Sequence, residues 1–205
     1  LSFAWAVTVF AAASEGWLRR PLTSSPLPAD FLDAADGLIA EEAQGNLALV
    51  LMEDGETAAS RFVSSGEPVD EETLFQVASL SKWLAAWGVM KLVQEGQIGL
   101  DDPVEAYLDR WSLPPGEYDR SGVTVRRLLS HTAGLGDGLG YNGFTSRAEV
   151  QTLEASLSRA ADASPGSAGS VRLVRAPGSE WAYSGGGYTL LQLLIEEVSG
   201  RPFDA

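Results

Sequence analysis

The 205-residue chain has no cysteine, a single histidine (His131) and two lysines (Lys82 and Lys91) beside twelve arginines. Without cysteine there can be no disulfide, thiolate metal site or cysteine nucleophile. One histidine and no H-E-x-x-H pattern speak against a zinc centre, so no metal is expected. Positive charge is scarce as well. The formal net charge of −14 argues against nucleic acid and anionic membrane surfaces as partners. The glycines at Gly136, Gly138, Gly140 and Gly143 do not follow a strand or open a phosphate-binding helix, so no nucleotide loop and no cofactor is read there. What remains is an acidic chain with 45% apolar residues, an ordinary share for a globular domain, and a length that suits one domain or slightly more.

Residues 1–16 begin with an uncharged, mostly apolar run, too short for the about 20 residues a bilayer-spanning helix needs. They read as the remnant of a signal peptide, with Ala11-Ala12-Ala13 as the cleavage-like site. They read equally as the end of a membrane helix closed by Trp17, Arg19 and Arg20, and the third reading is a buried helix of a soluble protein. The first two place the protein outside the cytoplasm, periplasmic, secreted or tethered to a membrane. Residues 17–28, with PLTSSPLP at their end, are a linker by composition, and 29–205 form the domain. The chain starts at Leu1 and stops shortly after a helix, so it reads as a fragment, expected to be inactive alone.

Within the domain, Asp30 caps a helix running to about Gln44, with Phe31, Ala35, Leu38 and Ile39 inward. Leu47–Met52 is apolar on both alternating faces and reads as a strand covered on both sides. Asp54-Gly55 is a two-residue hairpin turn, and Thr57–Val63 is the return strand. Helix, hairpin and helix in succession argue for an antiparallel sheet with helices packed on it. Farther on, Thr124 caps Val125–Ser130, Arg147–Ala160 is helical, and Ala161–Ser170 is a polar surface loop. Leu190, Leu191, Leu194, Ile195 and Val198 mark the buried face of a last helix stopped by Gly200 and Pro202. Tyr183 beside Gly185, Gly186 and Gly187 suggests backbone packed close to a neighbour.

The segment Phe75–Gly96, FQVASLSKWLAAWGVMKLVQEG, holds the most informative chemistry. Trp83, Ala86, Trp87, Met90 and Val93 have the spacing of a buried helical face, and Gly96 suits a left-handed cap. Ser79 and Lys82 form an S-x-x-K at the helix start. Residues three apart share one face, and the helix N-terminus favours an anionic oxygen. A hydroxyl with an amine in reach is the core of an activated nucleophile. About one such motif is expected by chance in a chain of this length. However, one of only two lysines stands here, and lysine, unlike arginine, can shift its pKa on burial and act as a base.

Four segments in order extend this observation. Ser79-Leu80-Ser81-Lys82, EGQIGLDDPVEAYL, VTVRRLLSHTAGL and PGSEWAYSGGGYTLLQLLIEEVSGRPF resemble the serine β-lactamase and penicillin-binding protein superfamily, in its class C β-lactamase, DD-peptidase and esterase branch. The resemblance implies an α+β, β-lactamase/transpeptidase-like fold: an antiparallel sheet flanked by helices plus a mostly helical subdomain, truncated at the C-terminus. It also implies a serine hydrolase acting through an acyl-enzyme on Ser79. Lys82 and Tyr183 make up the base system, either as a phenolate stabilised by Lys⁺ or as a neutral Lys82. The substrate would be a small ester, amide, peptide or β-lactam. His131 is implied to be structural, since no acidic partner for a Ser-His triad is indicated.

Two departures from the family pattern stand out. Gly185 occupies the substrate-binding position where the family carries a side-chain amide, which implies a preference for esters over β-lactams. A K-T-G or H-x-G strand, the source of a second oxyanion donor, does not occur in the chain. The alternatives are a penicillin-recognising or sensor domain without turnover, and a membrane-anchored structural domain in which S-x-x-K is chance.

Overall fold

The computed structural model describes residues 2–14, 22–42, 45–137 and 141–203. The chain divides into two compact units, Leu1–Gln76 and Val77–Ala205.

In the first unit, helix α1 (Ser2–Ser14) is followed by α2 (Pro28–Glu42), β1 (Leu47–Glu53) and β2 (Glu56–Val63). Trp17, Arg19, Arg20 and Gln44 lie outside the described residues, among which no helix is long and apolar enough to cross a membrane. The Ser25 hydroxyl bonds the Asp30 carboxylate in the first turn of α2. β1 and β2 pair antiparallel from Leu47↔Val63 to Glu53↔Glu56, with the register shifting between Leu51 and Met52. Asp54 and Gly55 both have positive φ, 51° and 86°, as the tight hairpin turn predicted for this dipeptide requires. Arg61 on β2 reaches Asp33 and Asp36 on α2, tying helix to strand. Three expectations need correction. α2 begins at Pro28, so Asp30 lies in its first turn rather than capping it. α2 buries Leu32 and Ala35, whereas Leu38 is exposed; the inward stripe is rotated by about one residue. β1 is not covered on both sides, because Leu47, Leu49 and Leu51 are half-buried while Ala48, Val50 and Met52 are exposed.

The second unit is mostly helical. A 3₁₀ turn over Ala78–Ser81 leads into α3 (Lys82–Gln94); α4 (Val125–Leu129), α5 (Leu153–Arg159) and α6 (Gly185–Ser199) follow. A short antiparallel pair joins β3 (Leu135–Gly136) to β4 (Arg172–Leu173). The core gathers Val89 and Leu92 of α3, Val125 and Leu128 of α4, Leu157 of α5 and Leu190, Leu191, Leu193 and Leu194 of α6. α3 ends at Gly96 (φ 70°). The Gln97 N–H reaches the Leu92 carbonyl and the Gly96 N–H that of Val93, the paired bonds of a Schellman cap. Thr124 caps α4, its side chain accepting from the Arg127 N–H.

The inward face of α3 differs from the one its bulky residues mark. Ala85, Val89 and Leu92 are buried, whereas Trp83 and Trp87 are each 72% exposed and Met90 is also exposed. The reason is close approach: a methyl added at Gly88 would stand 2.9 Å from Ile195 Cδ1 on α6, so α6 packs against the small residues of α3. The helix expected over Arg147–Ala160 is broken into a 3₁₀ turn, Arg147–Glu149, and α5. Val150 is extended at the break, and the Thr152 side chain caps a new start by accepting from the Ala155 N–H. The three glycines after Ser184 form the first turn of α6, with the Ser184 hydroxyl accepting from the Gly187 N–H.

Candidate active site

Ser79 sits in the 3₁₀ turn that precedes α3, one turn before Lys82. The residue before it, Ala78, has φ 45°, a left-handed conformation that costs a non-glycine residue roughly 1–2 kcal/mol. Tyr183 arrives from 104 residues away, and its hydroxyl lies 2.7 Å from Ser79 Oγ. Lys82 Nζ donates to Ser79 Oγ at 3.1 Å. The same ammonium lies 5.1 Å from the centroid of the Tyr183 ring and 5.6 Å from that of Tyr188, within cation–π range. Ser79, Lys82 and Tyr183 therefore meet at one point, and the hydroxyl of Ser79 touches both candidate bases.

The electrostatics favour an ionisable tyrosine. Burial pushes the Tyr183 phenol up, but hydrogen bonding by Lys82 and Ser79 and the Lys82 charge outweigh it, so its pKa lies below the ordinary 10.0. Tyr188, with burial and then Tyr183 acting on it, goes the other way. Its hydroxyl donates to the Leu129 carbonyl, leaving its ring to flank Lys82.

His131 does not reach Ser79 as a triad base. Its Nδ1 accepts the Ser184 N–H at 3.2 Å, and its main-chain carbonyl accepts the Ala182 N–H at 2.8 Å. Its ring packs against Tyr183 at 4.6 Å between centroids. One histidine thus grips the chain on both sides of Tyr183 and supports its ring. Burial, then the nearby Lys82 charge, hold the His131 pKa below 6.5, despite an opposing pull from Asp137. The neutral imidazole is the form that can accept at Nδ1.

Gly185 opens α6 beside Tyr183. A Cβ there would stand 2.5 Å from Cε2 of the Tyr141 ring, and one at Gly186 would run into Val171 and crowd Asp137. The glycines are required by close packing, as the sequence suggested. Three neighbours of the site were not singled out from sequence: Asp137, Tyr141 and Tyr188. Asp137 is 2% exposed and accepts from the Gly186 N–H at 2.7 Å and the Tyr141 hydroxyl at 2.5 Å. A lone aspartate in a glycine-rich run carries no periodic signal. Tyr188 had a signal available, as the aromatic that closes the glycine run after Tyr183.

The β-lactamase/transpeptidase-like α+β fold with this serine, lysine and tyrosine cluster defines the class. The Beta-lactamase family model matches residues 33–205, and the chain belongs to that family. Among curated relatives, it is 33% identical over 151 residues to Esterase EstB of Burkholderia gladioli, covering 69% of this chain and 36% of that protein. It is 36% identical over 140 residues to Penicillin-binding protein 4* of Bacillus subtilis, covering 66% of this chain and 28% of that protein. The chain thus spans about a third of the length of these relatives. Among solved structures, the octameric penicillin-binding protein homologue from Pyrococcus abyssi aligns with TM-score 0.61 and 28% identity, over 84% of this chain and 39% of that one.

Proposed function

We propose that the protein is a serine hydrolase that forms an acyl-enzyme on Ser79 with a small ester, amide or β-lactam substrate. The observation that carries this reading is the contact of Ser79 Oγ with the Tyr183 hydroxyl at 2.7 Å and the Lys82 ammonium at 3.1 Å. Tyr183, with its lowered pKa, takes the Ser79 proton as phenolate, and Lys82 remains cationic beside both oxygens. The Ser79 oxygen attacks the substrate carbonyl carbon, and the carbonyl electron pair moves onto oxygen. The Ser79 N–H is the proposed donor to that oxyanion. Collapse breaks the bond to the leaving group, which takes the proton from Tyr183. Water then enters, its proton goes to Tyr183 and its oxygen bonds the acyl carbon; the Ser79 ester bond breaks, Ser79 takes the proton back from Tyr183, and the acid leaves.

The similarity to an esterase and the glycine at 185 favour esters over β-lactams within this class. The uncharged start of the chain and its family support an extracytoplasmic protein, with residues 1–16 as leader or membrane tether, 17–28 as linker and 29–205 as hydrolase domain. The test is to mix the full-length protein with a nitrophenyl ester and with a fluorescent penicillin, quench rapidly, and map the adduct by mass spectrometry. An adduct on the Ser79 peptide, absent in Ser79→Ala and lost on turnover, is expected. An adduct that persists would instead fit a recognising domain, and hydrolysis retained in Ser79→Ala would overturn the nucleophile.

A further inference from the structure

Ser184 is extended, with φ −135° and ψ 118°. In extended backbone alternate residues project to the same side, so position 185 faces the side that carries Tyr183, while the Ser184 side chain turns inward to cap α6. The space a side chain at 185 would take is filled by the ring of Tyr141, 2.5 Å from the position of a Cβ there. That ring is held at both ends. Its hydroxyl donates to buried Asp137, which also accepts from the Gly186 N–H, and its main chain bridges to Ala163. It nevertheless keeps 37% of its surface exposed. A tyrosine anchored this way, seated on the residue two positions after Tyr183 and still partly exposed, makes a wall.

We infer that Tyr141 is a specificity-determining residue, its ring seated on Gly185 to form an aromatic wall for the acyl group of the substrate. The inference rests on the acyl-enzyme reading above. Where a side-chain amide at 185 would offer hydrogen bonds to a polar acyl group, a ring face offers apolar area and stacking. Acyl groups that are flat and apolar, such as arylacetyl, are the matching class. Glycine at 185 is then part of the same device: any larger residue displaces the ring.

The experiment compares kcat/KM for nitrophenyl phenylacetate and nitrophenyl acetate in the full-length protein and in Tyr141→Ala, Tyr141→Phe, Gly185→Ala and the Tyr141→Ala/Gly185→Ala pair. Hydrophobic pocket contacts discriminate by roughly 10–200-fold, so the phenylacetyl-to-acetyl ratio should fall about tenfold in Tyr141→Ala. Tyr141→Phe keeps the ring and should keep the ratio. Gly185→Ala should lower it as Tyr141→Ala does, and the double variant should be no worse than either single, because both remove one contact. If Tyr141→Ala does not fold, Tyr141→Leu removes the ring face while keeping bulk and must show the same fall. An unchanged ratio in either, or fully additive losses in the pair, overturns the wall while leaving Ser79 chemistry intact. A protein that cleaves neither ester and forms no adduct on Ser79 overturns the acyl-enzyme reading, and this inference with it.

Discussion

Replacing Tyr183 by phenylalanine separates its chemistry from its packing. The ring contact with His131, 4.6 Å between centroids, survives in phenylalanine. So do the main-chain bonds from Ala182 and Ser184 to His131. What goes is one oxygen, 2.7 Å from Ser79 Oγ, in a residue that is 38% exposed. One hydrogen bond of that kind contributes about 0.5–1.5 kcal/mol to stability, and exposure puts this one at the low end. A general base contributes roughly 10²–10⁴-fold in rate, or about 3–5 kcal/mol at 1.36 kcal/mol per decade. The expected result is a fall in kcat/KM of that size with little change in Tm. The pH profile adds a second reading. Because the folded pKa of Tyr183 is lowered from 10.0, kcat/KM for an ester should rise with pH and level off above a pKa below 10. Lys82→Met removes part of what lowers it and should move the limb to higher pH. If Tyr183→Phe keeps more than about a tenth of the activity with the same limb, Tyr183 is not the base and Lys82 inherits the role.

Three further outcomes are expected. The single histidine gives one imidazole signal, and its NMR titration should show a pKa below 6.5; since the unfolded chain then takes up the proton first, stability should be complete above pH 6.5 and decline as pH falls through the folded value. Asp137→Ala strands the buried Gly186 N–H, a loss of about 1–3 kcal/mol, while the hydroxyl of the partly exposed Tyr141 loses less; the fall is measurable by urea unfolding and larger than for an exposed carboxylate such as Asp33. Thr124→Ala removes the cap of α4 and should cost about 1 kcal/mol in the same assay.

Much of this fold is legible because its signals are local. Asp54-Gly55 suits the type I′ turn that closes a two-residue hairpin, and both residues take the positive φ it demands. Thr124 and Gly96 mark helix ends through bonds made within five residues. The inward faces of α2 and α3 were not legible in the same way. Periodicity finds the stripe of bulky apolar residues, and in α3 that stripe carries Trp83 and Trp87, both exposed. The packed face is defined by what it lacks, a side chain at Gly88 that would meet Ile195. The decision lies in a partner helix about a hundred residues later in the chain. Tyr141 was missed for the same reason: its partners are Asp137, four residues earlier, and Gly185, in another element.

The cluster itself combines two kinds of information. Ser79 and Lys82 need only one helical turn to meet, so their pairing is written locally and could arise by chance. Tyr183 must be carried to them, and the chain spends several groups on doing so. His131 takes the peptide N–H on each side of it, Ser184 starts α6 immediately after it, and Asp137 fixes the next N–H of that helix. None of these three touches Ser79, yet each restricts where the phenol can be. A general base must come within hydrogen-bond reach of the proton it removes, and here that reach is fixed by packing before any substrate binds. The cost is sensitivity to acid: protonating His131 at Nδ1 replaces an acceptor by a donor facing the Ser184 N–H. Loss of activity at low pH should therefore include a displacement of Tyr183 as well as its protonation. A His131→Asn variant, which keeps an acceptor without a titrating group, should retain the tyrosine limb while losing the pH dependence of stability below 6.5.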